Sequence, residues 1–242
     1  MIDLHSHILA GLDDGASTLE DSIALAKAFV ANGISHAVCT PHIHFGRYDN
    51  NLKSISQAFA ELKTTLHEQN IGLNICYAAE VRFDIEIMQA LENNEIPFVG
   101  DWHNQKVLLL ELPHGEFPIG AAKLTQWLID QNIRPMIAHP ERNKGIQAKP
   151  DKLTPLIEQG CLMQLTAASV TGDFGNRAEN LALELIKQRK ATVIATDAHH
   201  IKRRPPMLRE AYKRVCKLEG EALAKQLTIE APWEIAKVNF ER

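Results

Sequence analysis

Residues 107–112 read Val-Leu-Leu-Leu-Glu-Leu, an apolar run that only Glu111 interrupts. A strand with one face in water alternates polar and apolar residues, whereas a strand covered on both faces can be apolar throughout. The run is therefore typical of a strand inside a parallel sheet. Residues 193–195, Val-Ile-Ala, have the same character much later in the chain.

Similar apolar runs recur along the sequence and predict seven strands separated by helices. The first helical pattern, over 17–33, starts with a capping box formed by Ser17 and Glu20 and ends at Gly33. The predicted strands are 2–7, 37–42, 74–81, 107–112, 136–139, 162–167 and 192–197. The other predicted helices lie around 52–66 and over 119–131, 152–159, 178–189 and 206–217.

The alternation of strand and helix, repeated about seven times at roughly 30 residues per unit, is typical of a β/α barrel. No linker or low-complexity stretch separates the repeats. We therefore predict one α/β domain over 1–242, a TIM-like barrel that is closed or nearly closed, with its active site at the carboxyl ends of the strands. An open doubly wound sheet is the alternative architecture.

The composition of the 242 residues excludes several classes of protein. Apolar residues make up 45% and charged residues 23%, which are the proportions of a globular rather than a disordered chain. Lys and Arg number 26 against 30 Asp and Glu, so the net charge of -4 offers no basic field for nucleic acid. The sequence shows neither a signal peptide nor an apolar segment of the roughly 18 residues that a membrane span needs. The four cysteines lie far apart, and we expect them to be reduced in a cytoplasmic protein that is not itself a membrane protein.

Side chains that commonly bind metals follow almost every predicted strand. The carboxyl ends of parallel barrel strands meet at one face, so we expect these side chains to lie together. Only the strand over 162–167 ends without an obvious ligand. The candidates are His5, His7, Asp13, Asp14, His42, Glu80, Glu111, His139, Asp197 and His199.

Two features of these candidates favour a shared metal site over separate structural roles. His5 and His7 are two residues apart on a strand and so point to the same face, where two imidazoles need something to hold them together. Glu80 and Glu111 each close an apolar run, where an unpaired carboxylate would be costly. Imidazole and carboxylate ligands without thiolate suit manganese, iron or zinc, and the candidates are too many for one ion. The sequence therefore predicts two or three ions, an arrangement suited to hydrolysis of phosphate esters.

Four motifs at these strand ends occur together: Asp3-x-His5-x-His7 with a following Asp-Asp-Gly, the His42 and Glu80 positions, Ala-His139-Pro-Glu-Arg142, and Thr-Asp197-Ala-His199. As a set they resemble the PHP (polymerase and histidinol phosphatase) superfamily. The run His-Ser-His-Ile-Leu-x-Gly-x-Asp-Asp-Gly at 5–15 and the Arg204-Pro-Pro sequence look like the bacterial capsule and exopolysaccharide tyrosine-protein phosphatases of the CpsB/CapC type. The resemblance extends from Met1 to about Tyr212.

This resemblance implies a distorted seven-stranded β/α barrel with three metal ions, often manganese. It also selects Asp14 over Asp13 as a ligand, a choice that the spacing leaves open. The first ion would bind His5, His7, Glu80 and Asp197, the second Glu80, Glu111 and His139, and the third Asp14, His42 and His199, with Glu80 as the bridge.

Residues beside the ligands match further positions of the family. Arg142 and Arg204 correspond to its phosphate-binding arginines, and a guanidinium can hold a phosphoryl group through two hydrogen bonds. Asp3 corresponds to a position that we expect to orient a ligand histidine. Arg47, in the loop after the second predicted strand, is a further candidate for substrate binding.

Cys76 and Arg82 have the Cys-x5-Arg spacing of the cysteine-dependent tyrosine phosphatases. The five residues between them contain no glycine that would let backbone N–H groups cradle a phosphate, and Glu80 among them would repel it. We therefore interpret Cys76 as a core residue and expect a mechanism without a covalent phosphoenzyme.

The sequence and the resemblance together predict a metal-dependent protein tyrosine phosphatase, a phosphomonoester hydrolase that acts on a phosphotyrosine-containing protein. The resemblance implies that this partner is an autophosphorylating bacterial tyrosine kinase that controls capsule or exopolysaccharide biosynthesis. A small-molecule phosphatase of the histidinol-phosphate kind is the alternative, since it would use the same metals. The acidic balance disfavours a nuclease or proofreading module, and a non-catalytic metal-binding module would lack ligands that are all present here.

Overall fold

The computed structural model describes residues 1–241, in which strands and helices alternate. The strands are β1 Ile2–Ser6, β2 His36–Cys39, β3 His42–Ile43, β4 Asn74–Tyr77, β5 Glu80–Arg82, β6 Gly100–Trp102, β7 Gln105–Glu111, β8 Ile133–Ala138, β9 Leu162–Thr166 and β10 Val193–Ala195. The α-helices are α1 Leu19–Ala31, α2 Leu52–Glu68, α3 Ile87–Glu92, α4 Ala121–Asp130, α5 Lys144–Ala148, α6 Thr154–Glu158, α7 Ala167–Thr171, α8 Asn176–Lys187, α9 Leu208–Glu219, α10 Glu221–Lys225 and α11 Ala231–Phe240. Short 3-10 segments cover Pro140–Arg142 and Pro150–Leu153, and Gln226–Glu230 is π-helical.

Two sheets hold the strands side by side, and all but one of the pairings are parallel. β1, β2 and β4 form a three-stranded sheet, and the second sheet runs in the order β10-β9-β8-β7-β5-β3. β6 is the exception, because it pairs antiparallel with β7 through a turn at His103 and Asn104, whose φ angles are 53° and 64°. Two successive positive φ angles are typical of a tight hairpin turn.

Two strands that the sequence predicts as continuous are each divided in the structure. The predicted strand 37–42 becomes β2 and β3, separated by Thr40 and Pro41, and the predicted strand 74–81 becomes β4 and β5. Pro41 has no N–H to donate to a strand ladder. β3 and β5 pair with each other in the second sheet, whereas β2 and β4 pair in the first. With the short strand β6, residues 1–241 therefore contain ten strands where the sequence predicts seven.

The two sheets meet where β1 lies beside the segment that follows β10. Asp197 N donates to His5 O over 2.8 Å, and His7 N donates to Ala198 O over 2.9 Å. Ser6 and Ala198 form an isolated parallel bridge. The first and last predicted strands are thus neighbours in an α/β fold built on parallel strands.

Helix α11 covers the end of the sheets where the strands begin. Its Ile235 backbone lies so close to Gly100 that a Cβ atom at position 100 would collide with the Ile235 carbonyl. Leu4 on β1, Val38 on β2 and Leu109 on β7 pack with Ile235 in one buried cluster. We call this cluster the apolar end. The carboxyl ends of the strands, with the predicted ligands, lie at the opposite end.

Helix α1 begins one residue later than the sequence predicts. Its N-cap is Thr18, whose Oγ1 accepts from Asp21 N while the Asp21 carboxylate accepts from Thr18 N. The predicted box of Ser17 and Glu20 is therefore wrong by one position, because both pairs have a hydroxyl followed three residues later by an acid. Helices α3, α5, α7, α10 and α11 have no counterpart among the predicted ones. Within residues 1–241, no helix combines the length and the apolar character that crossing a membrane requires.

Candidate metal centre

The nine predicted ligands converge at the carboxyl ends of the strands. Their imidazole nitrogens and carboxylate oxygens form four overlapping groups, and within each group the ligand atoms all lie within 4.8 Å of one another. The groups are His7 with Asp14, His42 and His199; His5 with His7 and Glu80; His5 with His139 and Asp197; and His42 with Glu80 and Glu111. We call these nine side chains the ligand cluster.

The carboxylate of Glu80 lies at the centre of the ligand cluster. Glu80 begins β5 and is fully buried. Its Oε2 is 3.2 Å from His5 Nε2 and 3.3 Å from His7 Nε2, and its Oε1 is 2.9 Å from His139 Nε2. Burial alone would raise the pKa of this carboxyl, but the imidazoles of His5 and His42 hold the pKa well below its usual range. Glu80 is therefore an ionised carboxylate surrounded by four histidines.

The histidines of the ligand cluster differ in their pKa values. Burial, followed by the charge of Arg142, lowers the pKa of His139 to about 4, and burial, followed by His7, lowers the pKa of His199 to about 4. Burial would also lower the pKa of His42, but the central carboxylate raises it to about 10. His139 and His199 are thus neutral at pH 7, the form in which an imidazole donates a lone pair to a metal.

Two buried atoms at the centre have no hydrogen-bond partner. His42 Nδ1 and Glu80 Oε2 lie 3.0 Å apart, yet within residues 1–241 neither makes a hydrogen bond. Buried polar atoms are nearly always satisfied, and a cation between these atoms would satisfy both. Imidazole nitrogens and carboxylate oxygens are also ligands that divalent first-row metals accept. The residues present therefore fit divalent metal ions.

Two residues of the ligand cluster have strained backbone conformations. The φ angle of His139 is 34° and that of Asp197 is 52°, in the left-handed region that residues other than glycine rarely adopt. Such strain persists only where the surrounding structure enforces it, and it is frequent at functional sites. β10 already ends at Ala195, so irregular backbone rather than strand alternation brings Asp197 and His199 together.

Asp13 and Asp14 are adjacent in sequence but have different contacts. Asp14 is half exposed, and its Oδ1 lies 3.4 Å from His42 Nε2 and 3.5 Å from His199 Nε2. The Asp13 side chain is buried and accepts hydrogen bonds from His7 Nδ1 at 2.7 Å and from His42 N at 2.9 Å. Burial would raise the Asp13 pKa, but His7 lowers it to about 2. Asp13 therefore turns His7 Nε2 toward the ligand cluster, a role that the spacing could not reveal.

Gln164 contacts His5 from the side opposite Glu80. It lies in β9, is fully buried, and its Oε1 accepts from His5 Nδ1 at 2.9 Å. The sequence predicts no ligand at this strand, and none of its residues joins the ligand cluster. The signal that would have indicated Gln164 is a single amide within the otherwise apolar run Leu-Met-Gln-Leu.

Asp3 makes a contact different from the predicted one. Its carboxylate accepts from Thr196 N at 2.7 Å and from Thr196 Oγ1 at 2.6 Å, rather than from a histidine ring. Burial raises the pKa of Asp3 to about 6. Asp3 therefore fixes Thr196, the residue that precedes Asp197, because β1 lies beside the segment that follows β10.

Arg142 and Arg204 converge on Asp197. Both donate to Asp197 Oδ2, and Arg204 Nη1 lies 2.9 Å from His199 Nε2. The aromatic ring of Phe174 lies against both guanidinium groups, with its centroid 4.4 Å from Arg142 Cζ and 6.0 Å from Arg204 Cζ. The sequence gives no sign of Phe174, because it belongs to the loop before α8 and only the fold brings it to the arginines.

Two further arginines lie at the rim of the ligand cluster. Arg82, on β5, forms an ion pair with Glu111 Oε2 at 2.8 Å, a contact that the sequence does not predict. Arg47 is exposed, and its guanidinium carbon lies 4.9 Å from the ring centroid of Tyr48. The Tyr48 ring stacks on His42 with centroids 5.6 Å apart. The ring of Tyr48 thus lies between the Arg47 guanidinium group and His42, which belongs to the ligand cluster.

The Cys-x5-Arg spacing is divided between the two ends of the sheets. Cys76 packs in the same cluster as Leu4 and Val38, and burial raises the pKa of its thiol. Arg82 lies at the carboxyl end beside Glu111. The interpretation of Cys76 as a core residue is confirmed, because its side chain is buried in the apolar end.

Known proteins are similar to this chain in sequence and in structure. A family model described as capsular polysaccharide synthesis, CpsB/CapC, matches residues 1–237. CapC of Staphylococcus aureus is 37% identical over 212 residues, which are 88% of this chain and 82% of that protein. The tyrosine-protein phosphatase YwqE of Bacillus subtilis is 35% identical over 228 residues, which are 94% of this chain and 89% of that protein.

Solved structures extend the comparison to the fold. One, from work on YwqE of Bacillus subtilis and CpsB of Streptococcus pneumoniae, described as metal-dependent tyrosine phosphatases, has a TM-score of 0.89 at 33% identity and covers 100% of this chain and 94% of that one. The lactonase Lmo2620 of Listeria monocytogenes has a TM-score of 0.60 at 14% identity, covering 97% and 94% of the two chains, which shows a likeness of fold alone. Since the family model spans nearly the whole sequence, the chain belongs to the CpsB/CapC family.

Proposed function

We propose that this chain is a metal-dependent protein tyrosine phosphatase that hydrolyses phosphotyrosine in a protein substrate. The observation that carries the proposal is the meeting of nine imidazole and carboxylate side chains with two arginines at one end of the sheets. Family membership supports the same activity, since YwqE and the matched structure are described as tyrosine phosphatases.

The ligand cluster is proposed to hold two or three divalent ions. Manganese is the proposed metal, and iron and zinc are alternatives because they accept the same nitrogen and oxygen ligands. When bound, such ions supply Lewis-acid activation of the phosphate ester and of water. The assignment is His5, His7, Glu80 and Asp197 to the first ion, Glu80, Glu111 and His139 to the second, and Asp14, His42 and His199 to the third.

Hydrogen bonds within the chain prepare the histidines for this role. Asp13 accepts from His7 Nδ1, and Gln164 accepts from His5 Nδ1. In both rings the acceptor holds a proton on Nδ1 and turns Nε2 toward Glu80. Partners of this kind fix the orientation of the ring before any ion binds, so that binding needs little rearrangement.

Arg142 and Arg204 are proposed to bind the oxygens of the phosphoryl group. Their side chains are 15% and 24% exposed, so they are anchored at Asp197 while remaining open to a ligand. Fixed positive charges at this position stabilise the charge that spreads over the phosphoryl oxygens in the transition state. A tyrosyl leaving group, with a phenol pKa of about 10, needs less protonation than an alkoxide.

The proposed substrate is an autophosphorylating bacterial tyrosine kinase that regulates capsule or exopolysaccharide biosynthesis, and the proposed location is the cytoplasm. The description of the family as one of capsular polysaccharide synthesis supports the pathway. Cys39, Cys76 and Cys161 are buried free thiols, which supports a reducing compartment.

We also propose that the two sheets form one distorted barrel of seven strand positions within a single domain over 1–242. In this arrangement β2 with β3 and β4 with β5 each count as one position. The hydrogen bonds between β1 and the residues after β10 support a join between the first and seventh positions. The likeness to the lactonase fold supports the same architecture.

The test of this function measures phosphate release from a phosphotyrosine peptide and from histidinol phosphate, with manganese and with a chelator. We expect the peptide to be preferred, and we expect chelation or His139→Ala to abolish release. His67→Ala, at an exposed position of α2, is the matched control that should leave release unchanged. Activity that survives complete chelation would contradict the metal mechanism, and preference for histidinol phosphate would contradict the tyrosine phosphatase assignment.

A further inference from the structure

Phe174 contacts both of the arginines that are proposed to bind phosphate, and the role inferred for it rests on that proposed function. Its ring centroid lies 4.4 Å from Arg142 Cζ and 6.0 Å from Arg204 Cζ. Both guanidinium groups also donate to Asp197 Oδ2. One carboxylate and one aromatic ring therefore hold two positive charges next to each other.

The carboxylate of Asp197 alone does not compensate the charges of both guanidinium groups. Arg142 and Arg204 repel each other, and the single carboxylate of Asp197 offsets only one of the two charges. Asp197 is itself a proposed metal ligand, so a bound ion would compete for its negative charge. The face of an aromatic ring attracts a guanidinium within about 6 Å, and a metal ion does not compete for the Phe174 ring.

The loop between α7 and α8 fixes the position of Phe174. Gly172 and Gly175 flank its tip with φ angles of +93° and +84°, which only glycine adopts without strain. Asp173 N donates to Ala168 O at 2.9 Å, and Gly175 N donates to Gly172 O at 3.0 Å. Because the backbone on both sides is hydrogen-bonded, the Phe174 backbone is held in place beside the two arginines, and its ring lies against their guanidinium groups.

We propose that Phe174 is a positioning residue that holds the guanidinium groups of Arg142 and Arg204 side by side, ready to receive a phosphoryl group. The ring does not contact the reacting atoms. Its effect is to set the arginines in place before phosphate arrives, which lowers the entropy that binding must lose. Loss of the ring therefore weakens phosphate binding and raises KM more than it lowers kcat, and it leaves the metal content unchanged.

The experiment compares Phe174→Leu with Phe174→Tyr. Leucine keeps an apolar side chain without a π face, whereas tyrosine keeps the ring. Isothermal titration calorimetry of inorganic phosphate into the manganese-loaded protein should show binding about tenfold weaker for Phe174→Leu and close to wild type for Phe174→Tyr. Metal content, measured by mass spectrometry, should equal that of the wild type in both. Phe98→Leu is the matched control, since Phe98 makes a similar contact with Lys106, at 5.0 Å, on another part of the surface.

The results separate the role of Phe174 from the proposed function. Wild-type phosphate affinity in Phe174→Leu, or a tenfold loss in Phe174→Tyr, would overturn the positioning role. The tyrosine variant keeps the test decisive even if leucine loosens the loop. Phosphate affinity that is unchanged in Arg142→Ala would instead overturn the proposed phosphate site, whatever Phe174 does.

Discussion

The two ends of the sheets are made by the same strands but have opposite chemistry. β7 enters the apolar end at Val107, which is fully buried, and finishes at Glu111 in the ligand cluster. β1 likewise carries Leu4 of the apolar end and His5 of the ligand cluster. Apolar side chains stabilise a fold by leaving water, whereas buried charges cost free energy unless partners or ions compensate them.

Positive φ angles occur at both ends of the sheets, since the turn at His103 and Asn104 before β7 also has them, but at the charged end they fall on side chains of the ligand cluster. His139 and Asp197, with positive φ angles, belong to the ligand cluster. At the apolar end, the close contact of Gly100 with Ile235 is made by a glycine and needs no such strain at either of these residues. We infer from this comparison that the apolar end stabilises the fold, whereas the ligand cluster is arranged for binding ions at a cost in stability. Each of the following predictions tests this division between the two ends.

The largest effect is expected for Glu80→Gln, which keeps the shape of the central side chain and removes its charge. We expect loss of bound manganese and a fall in kcat/KM of at least about a thousandfold. The melting temperature without metal should also fall, because the imidazoles of His5 and His42 lose the carboxylate that compensates their charge. Metal analysis, phosphatase assays and thermal unfolding check these three outcomes. Glu92→Gln, at an exposed position, is the control. A variant that keeps its full metal content would contradict the central role of Glu80.

A smaller effect, on stability instead of catalysis, is expected for Ile235→Ala at the apolar end. Removing most of a fully buried isoleucine side chain should lower the free energy of unfolding by about 3 kcal/mol, because it leaves a cavity among packed side chains. Denaturant titration measures this change, and kcat/KM per folded molecule should stay at the wild-type value. Leu218→Ala, where the leucine is 52% exposed, should have little effect. A loss of activity larger than the loss of folded protein would show that the two ends are not independent.

The third prediction concerns Asp13, which contacts the ligand cluster without belonging to it. Asp13→Asn should weaken manganese binding by about ten- to a hundredfold, because the amide no longer stabilises the proton on His7 Nδ1 in the way that the carboxylate does. Calorimetric titration with manganese gives the affinity, and Asp151→Asn, at an exposed site, is the comparison variant. An unchanged affinity would mean that the tautomer of His7 is fixed by other contacts.

The smallest effect is a pH dependence at the apolar end. His36 packs against Trp233 and Phe240, with ring centroids 5.4 Å and 5.0 Å away, and burial, followed by the charge of the amino terminus, lowers its pKa. The His36 imidazole therefore binds a proton less readily in the folded chain than in the unfolded chain. Its contribution to the free energy of unfolding is fully present above the unfolded pKa of about 6.5 and is lost as the pH falls below that value. His36→Gln should therefore reduce the loss of unfolding free energy between about pH 7 and pH 5. Urea titrations at both pH values measure the difference, and equal losses in the two proteins would rule the contribution out.

The ligand cluster could be predicted because its histidines and carboxylates stand at the ends of apolar runs in the sequence. His5 and His7 share a strand face by their spacing, and Glu80 and Glu111 close runs in which a carboxylate has no other reason to occur. The sequence could not choose between Asp13 and Asp14, since the two are adjacent and only their depth in the fold separates them.

The contacts behind the ligand cluster could not be predicted because they join distant parts of the chain. Gln164 is 159 residues from His5, and Phe174 reaches Arg142 and Arg204 only through the loop before α8. A local pattern carries no information about such pairs. The division of the predicted strand 74–81 has a different origin, because the apolar run continues through Ala78 and Ala79, where the backbone leaves one sheet for the other.

The neighbours at the join of the two sheets are nearly the whole chain apart, since Asp3 accepts from Thr196 across 193 residues. A ribosome adds about 5–20 residues per second, so β1 waits roughly 10–40 s for its neighbour to be synthesised. Until then the nascent chain exposes one edge of its first strand and lacks Asp197 and His199. The ligand cluster is therefore complete only after the carboxyl-terminal part of the chain has been synthesised.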